Sequence, residues 1–440
     1  MNRSENNTTS SFLRGQFVDE YGMVFVLLIL CALFSVRTLK NQYPTGEAAG
    51  IQVANKIGAT TAIVVGRNTE EDRDFSKSAA NQLESNGATV LAVVNGEPAD
   101  VRKAIEQAIA DGKTIDAIAA NAVTAKWSVY DRFPEVGSQK CVTPAPYLWP
   151  DFLKLTNILN LANQTAIYAI IAIGMTMVII TGGIDLGVGS VVALAAVVAA
   201  VVIRSAGGVE ASIAMVLVGM FVGILVCASS GFFVGTMVTA FELPAFIVSL
   251  SIMMMGNGLA FKIANGQSIP DLPDTFFWLG GRSSLGVPNP VWLMILLYVI
   301  AHVVMSQTVF GRYVYAIGGN KEAARLSGVP VKRVLLAVYT ISGALAGLGG
   351  VILASKLAAG DPKFGVMYEL EVIAAVVVGG TSLMGGKGKI LGTLIGAFII
   401  AVINNGMNLT GVDPYNQRIV LGAVLLLAVL LDKLKRRTNI

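Results

Sequence analysis

The residue types able to do chemistry in this 440-residue chain are few, and their spacing suits none of the usual reactions. A single histidine, His302, excludes a multi-histidine metal site and a histidine proton relay. Three cysteines cannot build a disulfide framework; Cys31 and Cys227 lie in apolar runs and Cys141 in a polar stretch. Met384-Gly385-Gly386-Lys387-Gly388 has the outline of the end of a phosphate loop. Thr381, however, stands where its first glycine belongs, and Gly388 replaces the Ser or Thr that would hold Mg²⁺. Gly256-Asn257-Gly258 lacks a third glycine and sits in an apolar segment. No nucleophile–base pair or metal cluster stands out, so an enzyme reading has no support, and any ATP and Mg²⁺ that drive this chain are bound by another polypeptide. Polar neutral residues inside apolar runs (Gln164, Asn257, Asn404 and Asn405) either line a route for a hydroxylated solute or hydrogen-bond helices together. Glu369, Glu371 and Lys262 read as solvated or snorkelling residues at outer helix ends.

The surrounding composition says what must position these residues. Apolar residues make up 54% and charged residues 14%, against about 25% charged in a soluble chain. The mean hydropathy of +0.67 belongs to a membrane protein, and a net charge of +4 is too small to argue for nucleic acid. Ten apolar segments follow one another: Tyr21–Val36, then stretches near Gln164–Thr181, Val188–Arg204, Ser212–Gly235, Leu243–Ala264, Val291–Ser306, Val334–Ser355, Leu370–Met384, Ile390–Asn404 and Ile419–Leu431. Two or three are short enough to be tilted or broken. The first, about 24 Å long as a helix, competes with a cleaved signal peptide. Asp19 and Glu20 before it, and the absence of a small-x-small cleavage site, favour an uncleaved anchor; Leu30 is too large for a lipoprotein site at Cys31. With the N-terminus inside, the inner segments collect 13 Lys and Arg, from Arg3 and Arg14 to Arg436 and Arg437, and the short outer loops about six. Both ends are therefore expected in the cytoplasm: a tail at 1–20, a first helix at 21–36, an outer segment at 37–150 and a membrane core at 151–440.

Gly182-Gly183-Ile184-Asp185-Leu186 recurs 197 residues later as Gly379-Gly380-Thr381-Ser382-Leu383. Each copy follows an aliphatic run, continues through Gly189 or Gly386 and opens another apolar helix. Two halves from one unit, with helices interrupted at matching positions, point to a translocation path; tight cytoplasmic turns are the plainer alternative. Asp185 reads as an N-cap of the helix beginning near Val188, or as a contact to a partner. The longest inner loop, 307–333, contains Glu322-Ala323-Ala324-Arg325-Leu326-Ser327-Gly328 between Asn320 and Pro330. It reads as a short surface helix that a partner could push as a rigid body.

These stretches resemble the permease subunits of ATP-binding-cassette (ABC) importers of the ribose/simple-sugar type. The resemblance rests on GGIDLGVGS (Gly182–Ser190), FGRYVYAIGGNKEAARLSGVP (Phe310–Pro330), YELEVIAAVVVGGTSLMGGKG (Tyr368–Gly388) and NNGMNLTGV (Asn404–Val412), and runs from about Phe152 to Arg437. It implies a multi-pass, ten-helix permease of the cell (inner) membrane, working as a homo- or heterodimer on two cytoplasmic ATPase domains. An extracytoplasmic binding protein would deliver the sugar. Gly318, Gly319, Asn320, Glu322, Ala323, Ala324, Arg325 and Gly328 would belong to the coupling helix, and substrate would be held only weakly. Nucleosides or branched-chain amino acids are alternative cargoes; a secondary transporter, a channel and a membrane receptor are alternative classes.

The outer segment departs from that pattern. It holds 25 of the 60 charged residues and alternates expected helices (Gly46–Ile57, Glu70–Asn86, Pro98–Gly112) with strands (Thr61–Gly66, Thr89–Val94, Ile115–Asn121). The pattern predicts a small parallel sheet with helices on both sides, similar to one lobe of a sugar-binding periplasmic protein. It would dock the binding protein, capture ligand through Arg67, Arg73 or Asn121, or cap the permease. Phe133–Pro150, with four prolines, reads as a semi-rigid connector.

Overall fold

The computed structural model describes residues 22–437 other than 135 and 137–139. The expected tail at 1–20 and the Tyr21 start of the first span lie outside the described residues. Residues 39–151 form one compact unit and the flanking residues another.

In the smaller unit, β1 (Leu39–Gln42) is followed by α2 (Gly46–Ile57), β2 (Thr61–Gly66), α3 (Glu70–Ser85), β3 (Thr89–Asn95), α4 (Pro98–Ala110), β4 (Ala117–Ala120), β5 (Cys141–Val142) and β6 (Tyr147–Pro150). α1 (Gly22–Arg37) precedes it in the chain. Strands β3-β2-β4-β5 make a parallel sheet whose side chains alternate between two cores. Ala62, Val64, Ala117 and Ala119 pack with α2 and α3; Ile63, Val65, Ile118 and Ala120 pack with α4 and Tyr130. Aliphatic runs buried on both faces are what a helix-covered parallel sheet requires. Phe133–Pro150 is more than a connector. Cys141–Val142 adds an edge strand, and Tyr147–Pro150 pairs antiparallel with β1, Leu39 opposite Pro150 and Gln42 opposite Tyr147. Neither LKNQ nor YLWP alternates, so this ladder carries no periodic signal in the sequence.

The larger unit is helical: α5 (Leu155–Ile180), α6 (Val188–Ser205), α7 (Ile213–Ala240), α8 (Ala245–Ile263), α9 (Asp274–Gly281), α10 (Asn289–Gln307), α11 (Val309–Gly319), α12 (Lys321–Leu326), α13 (Val331–Leu357), α14 (Tyr368–Val378), α15 (Ile390–Leu409) and α16 (Pro414–Arg437). Among the described residues seven helices (α5, α6, α7, α8, α10, α13 and α15) are long and apolar enough to cross a membrane. α1 and Pro414–Leu430 are shorter apolar helices; each expected segment contains a helix, although in Leu370–Met384 it ends at Val378. α14 has 11 residues, about 16 Å at 1.5 Å per residue, and cannot cross a core about 30 Å thick.

α5 is the hub. Within its most apolar stretch 83% of residues are buried, against 22% for α7 and α8, which leaves the latter pair on the rim. Small residues bring the helices close, as lipid-phase packing demands. A Cβ on Gly231 of α7 would collide with the carbonyl oxygen of Tyr339 on α13, and one on Gly343 of α13 with that of Cys227 on α7.

Candidate translocation core and coupling junction

Both glycine stretches end a helix in the same way. After α5, Gly182 (φ +81°) donates to the Ile179 carbonyl at 2.9 Å and Gly183 to Val178 at 3.0 Å. After α14, Gly380 (φ +83°) donates to Val377 at 2.9 Å and Thr381 to Val376 at 3.1 Å. This is the Schellman pattern, whose left-handed residue is best filled by glycine. It equates Gly182 with Gly380, one residue away from the pairing with Gly379 that the letters suggest.

Beyond the first turn the chain re-enters the bundle. Leu186 donates its N–H to Ser249 Oγ of α8 at 3.1 Å, and Ser249 Oγ approaches the Ile184 carbonyl at 3.3 Å. Asp185 is buried and does not cap α6, whose N-cap is Gly187. Its Oδ1 accepts from the Gly187 N–H at 2.9 Å and its Oδ2 from Ser342 Oγ of α13 at 3.3 Å. Ser342 lies some 11 residues into α13, about 17 Å along its axis. The carboxylate therefore sits about halfway through the bundle, on non-helical backbone that α8 and α13 cover. Gly189, in the first turn of α6, meets Gly365 and Glu369 at the entrance to α14.

The second turn closes on the first. Gly386 donates to the Ile180 carbonyl at 2.8 Å, so the N–H that a phosphate loop would offer to a nucleotide is occupied by protein. Ser382 donates to the Lys387 carbonyl at 3.0 Å. The coupling loop arrives at the same point. A Cβ on Gly318 would collide with the Ile180 carbonyl oxygen and stand 2.5 Å from the Gly386 nitrogen, and the Tyr315 hydroxyl donates to the Gly388 carbonyl at 2.8 Å. Gly319 closes α11, and Asn320 Oδ1 caps α12 by accepting from Ala323 at 3.0 Å. Gly328 (φ +84°) ends α12 with a third Schellman turn, Val329 donating to Ala324 and Gly328 to Arg325. Ala324 is buried against the bundle, while Glu322 and Arg325 pair at 2.9 Å on the exposed side and Leu326 is 80% exposed.

The candidate polar residues separate. Asn257 lies on an exposed face of α8. Asn405 exchanges two amide hydrogen bonds with Asn157, at 2.9 and 3.0 Å, and so ties α15 to α5. Asn404 lines a narrow recess with Gln164, Tyr168 and Glu371, and its buried Oδ1 has no hydrogen-bond partner. Glu371, in the first turn of α14, is half-buried in that recess rather than solvated, and Glu369 stands against Gly189. The residues missed from sequence are Tyr168, Tyr315 and Ser342. A lone hydroxyl on a long apolar helix carries no positional signal, whereas the Tyr368/Glu371 spacing, three apart on one helix face, was available.

In the smaller unit, Asp72 accepts from the Arg67 backbone N–H at 2.8 Å and from its Nε at 2.7 Å. Burial pushes the Asp72 carboxyl up, but the bonds from Arg67 and Asn121 and the guanidinium charge hold it below the ordinary carboxylate range. Arg73 Nε donates to Asn68 Oδ1 at 3.2 Å, and Asn121 Oδ1 accepts from Val123 and Thr124 at 2.9 and 2.8 Å. All three candidate ligand residues are thus engaged within their own unit.

The profile of the family described as "Branched-chain amino acid transport system / permease component" matches residues 157–429. The chain is 43% identical over 293 residues to the ribose import permease protein RbsC of Escherichia coli (strain K12), an alignment covering 66% of this chain and 89% of that protein. It is 46% identical over 288 residues to RbsC of Bacillus subtilis (strain 168), covering 65% and 87%. To the L-arabinose ABC transporter permease protein AraH of Azospirillum brasilense it is 38% identical over 287 residues, covering 65% and 83%. No solved structure matches the chain.

Proposed function

This chain belongs to the branched-chain amino acid transport system / permease component family, and from that membership we propose that it is the membrane-spanning subunit of an ATP-driven importer of ribose or a closely similar sugar. The observation that carries the reading is the junction of Gly318, Ile180 and Gly386, where the coupling loop touches the end of α5 and the turn after α14 at once. The relatives' names supply the cargo.

In this reading a cytoplasmic ATPase, which holds the ATP and Mg²⁺, grips the exposed Glu322, Arg325 and Leu326. Its closure moves α12, and α11 passes the motion through Tyr315 and Gly318 to the two glycine turns. The re-entrant Asp185 segment and the short α14 follow, and the route opens alternately to either side. A second permease copy completes the pathway, and an extracytoplasmic binding protein delivers sugar on the side of the insert. Both chain ends lie in the cytoplasm, and the protein resides in the inner membrane. Because Arg67, Arg73 and Asn121 are engaged internally, the insert serves as a cap or docking module rather than a sugar trap.

The test is uptake of labelled D-ribose by cells carrying the chain with its ATPase. Uptake should survive a protonophore and stop when the ATPase is inactivated; the opposite pattern would overturn the reading. Glu322→Lys should abolish uptake while leaving the amount of membrane-integrated protein unchanged, because an exposed ion pair contributes only about 0–1 kcal/mol to the fold.

A further inference from the structure

The recess between α5, α14 and α15 is narrow, ≈ 20 Å³, room for one water or hydroxyl. Its polar lining is rich in acceptors: the Glu371 carboxylate and the buried, unpartnered Oδ1 of Asn404, with no Lys or Arg among the lining residues. Tyr168 lines the recess together with Glu371, and its ring stands 4.5 Å from that of Tyr368. Gln164, on the same wall, is exposed on α5. An amide and a carboxylate on such a face are unfavourable against lipid and favourable against water or a polar solute.

Acceptors beside the Gln164 and Asn404 amides and the Tyr168 hydroxyl, which can also donate, suit a solute whose groups both give and take hydrogen bonds. A neutral polyol does so, and its ring carbons suit the flanking aromatic pair. We propose that Glu371, beside Tyr168 and assisted by Asn404, is a specificity-determining subsite that accepts a hydroxyl of the sugar during its passage. This rests on the sugar-importer reading and names the group that would read the sugar's hydroxyls.

The experiment uses the full chain reconstituted with its ATPase and binding protein in proteoliposomes, with D-ribose and its monodeoxy analogues as probes. Glu371→Gln should lower the rate of D-ribose uptake by about tenfold or more and shrink the preference for ribose over one deoxy analogue. Glu371→Asp should restore part of both, and ATP hydrolysis stimulated by loaded binding protein should stay within about twofold of wild type. If Glu371→Gln is not recovered from the membrane, Tyr168→Phe carries the same discrimination test. Unchanged ribose uptake, or an equal slowing of every analogue, overturns the subsite. A wild-type chain that takes up no ribose with ATP overturns the importer reading itself, a result separable from the first.

Discussion

Buried polar side chains in the helical unit are either fully partnered or left with spare capacity, and the difference sorts structure from function. Thr176 and Thr393 share a hydrogen bond at 2.7 Å, and Asn157 and Asn405 share two; these are interhelical fasteners. Asn404 keeps an unused acceptor. Asp185 lies between the two kinds, with one bond from its own turn and one from Ser342. Ser342→Ala should therefore destabilise the protein by about 1–3 kcal/mol, as thermal unfolding in detergent would report, because a buried acceptor loses its partner. In the insert, burial and the neighbouring Asp131 charge push the Cys141 thiol up to about 11. The thiol is thus neutral at ordinary pH, and alkylation by iodoacetamide should be slow at pH 8 and accelerate as the pH rises towards that value. Rapid modification at pH 8 would contradict the burial.

Helices were easy to read from hydropathy because lipid demands long apolar runs, and the insert's alternating strands and helices were legible for a similar reason. The connectors were not. Residues 183–187 carry no period, and only the tertiary bonds of Ser249 and Ser342 fold them back into the bundle. Asp185 looked like a cap because Asp is favoured at N-caps and lies close to the helix start; Gly187, directly before Val188, holds that position instead. The same logic separates glycines that matter for conformation from those that matter for space. Gly182→Ala meets no atom within 4 Å, so it should cost only the left-handed strain of about 1–2 kcal/mol and retain uptake. Gly318→Ala collides with Ile180 and Gly386, so it should pry the junction open and cut uptake by about tenfold or more. Tyr315→Phe removes only the bond to Gly388; it should leave folding nearly intact and lower the ratio of sugar moved to ATP hydrolysed. Coupling unchanged in both variants would remove the junction from the power path.

At the scale of the whole molecule, the chain is a permease core with a self-contained α/β unit spliced in behind its first helix. Each of the unit's two cores draws its residues from within 39–151. Removing residues 43–146 and joining Gln42 to Tyr147 through an Asn-Gly turn should preserve the β1–β6 register as a hairpin. Membrane-integrated protein should be recovered at wild-type levels; its disappearance would make the insert essential to folding. A cut after Lys140 would leave Cys141–Val142 without its sheet partner β4 and should fare worse. Since β1 and β6 run side by side, the polypeptide enters and leaves the insert one strand spacing apart, about 5 Å between facing backbones. That geometry is a ready-made socket: a fluorescent protein or other optical reporter with neighbouring ends could be plugged into it, turning the transporter into a label for its own traffic.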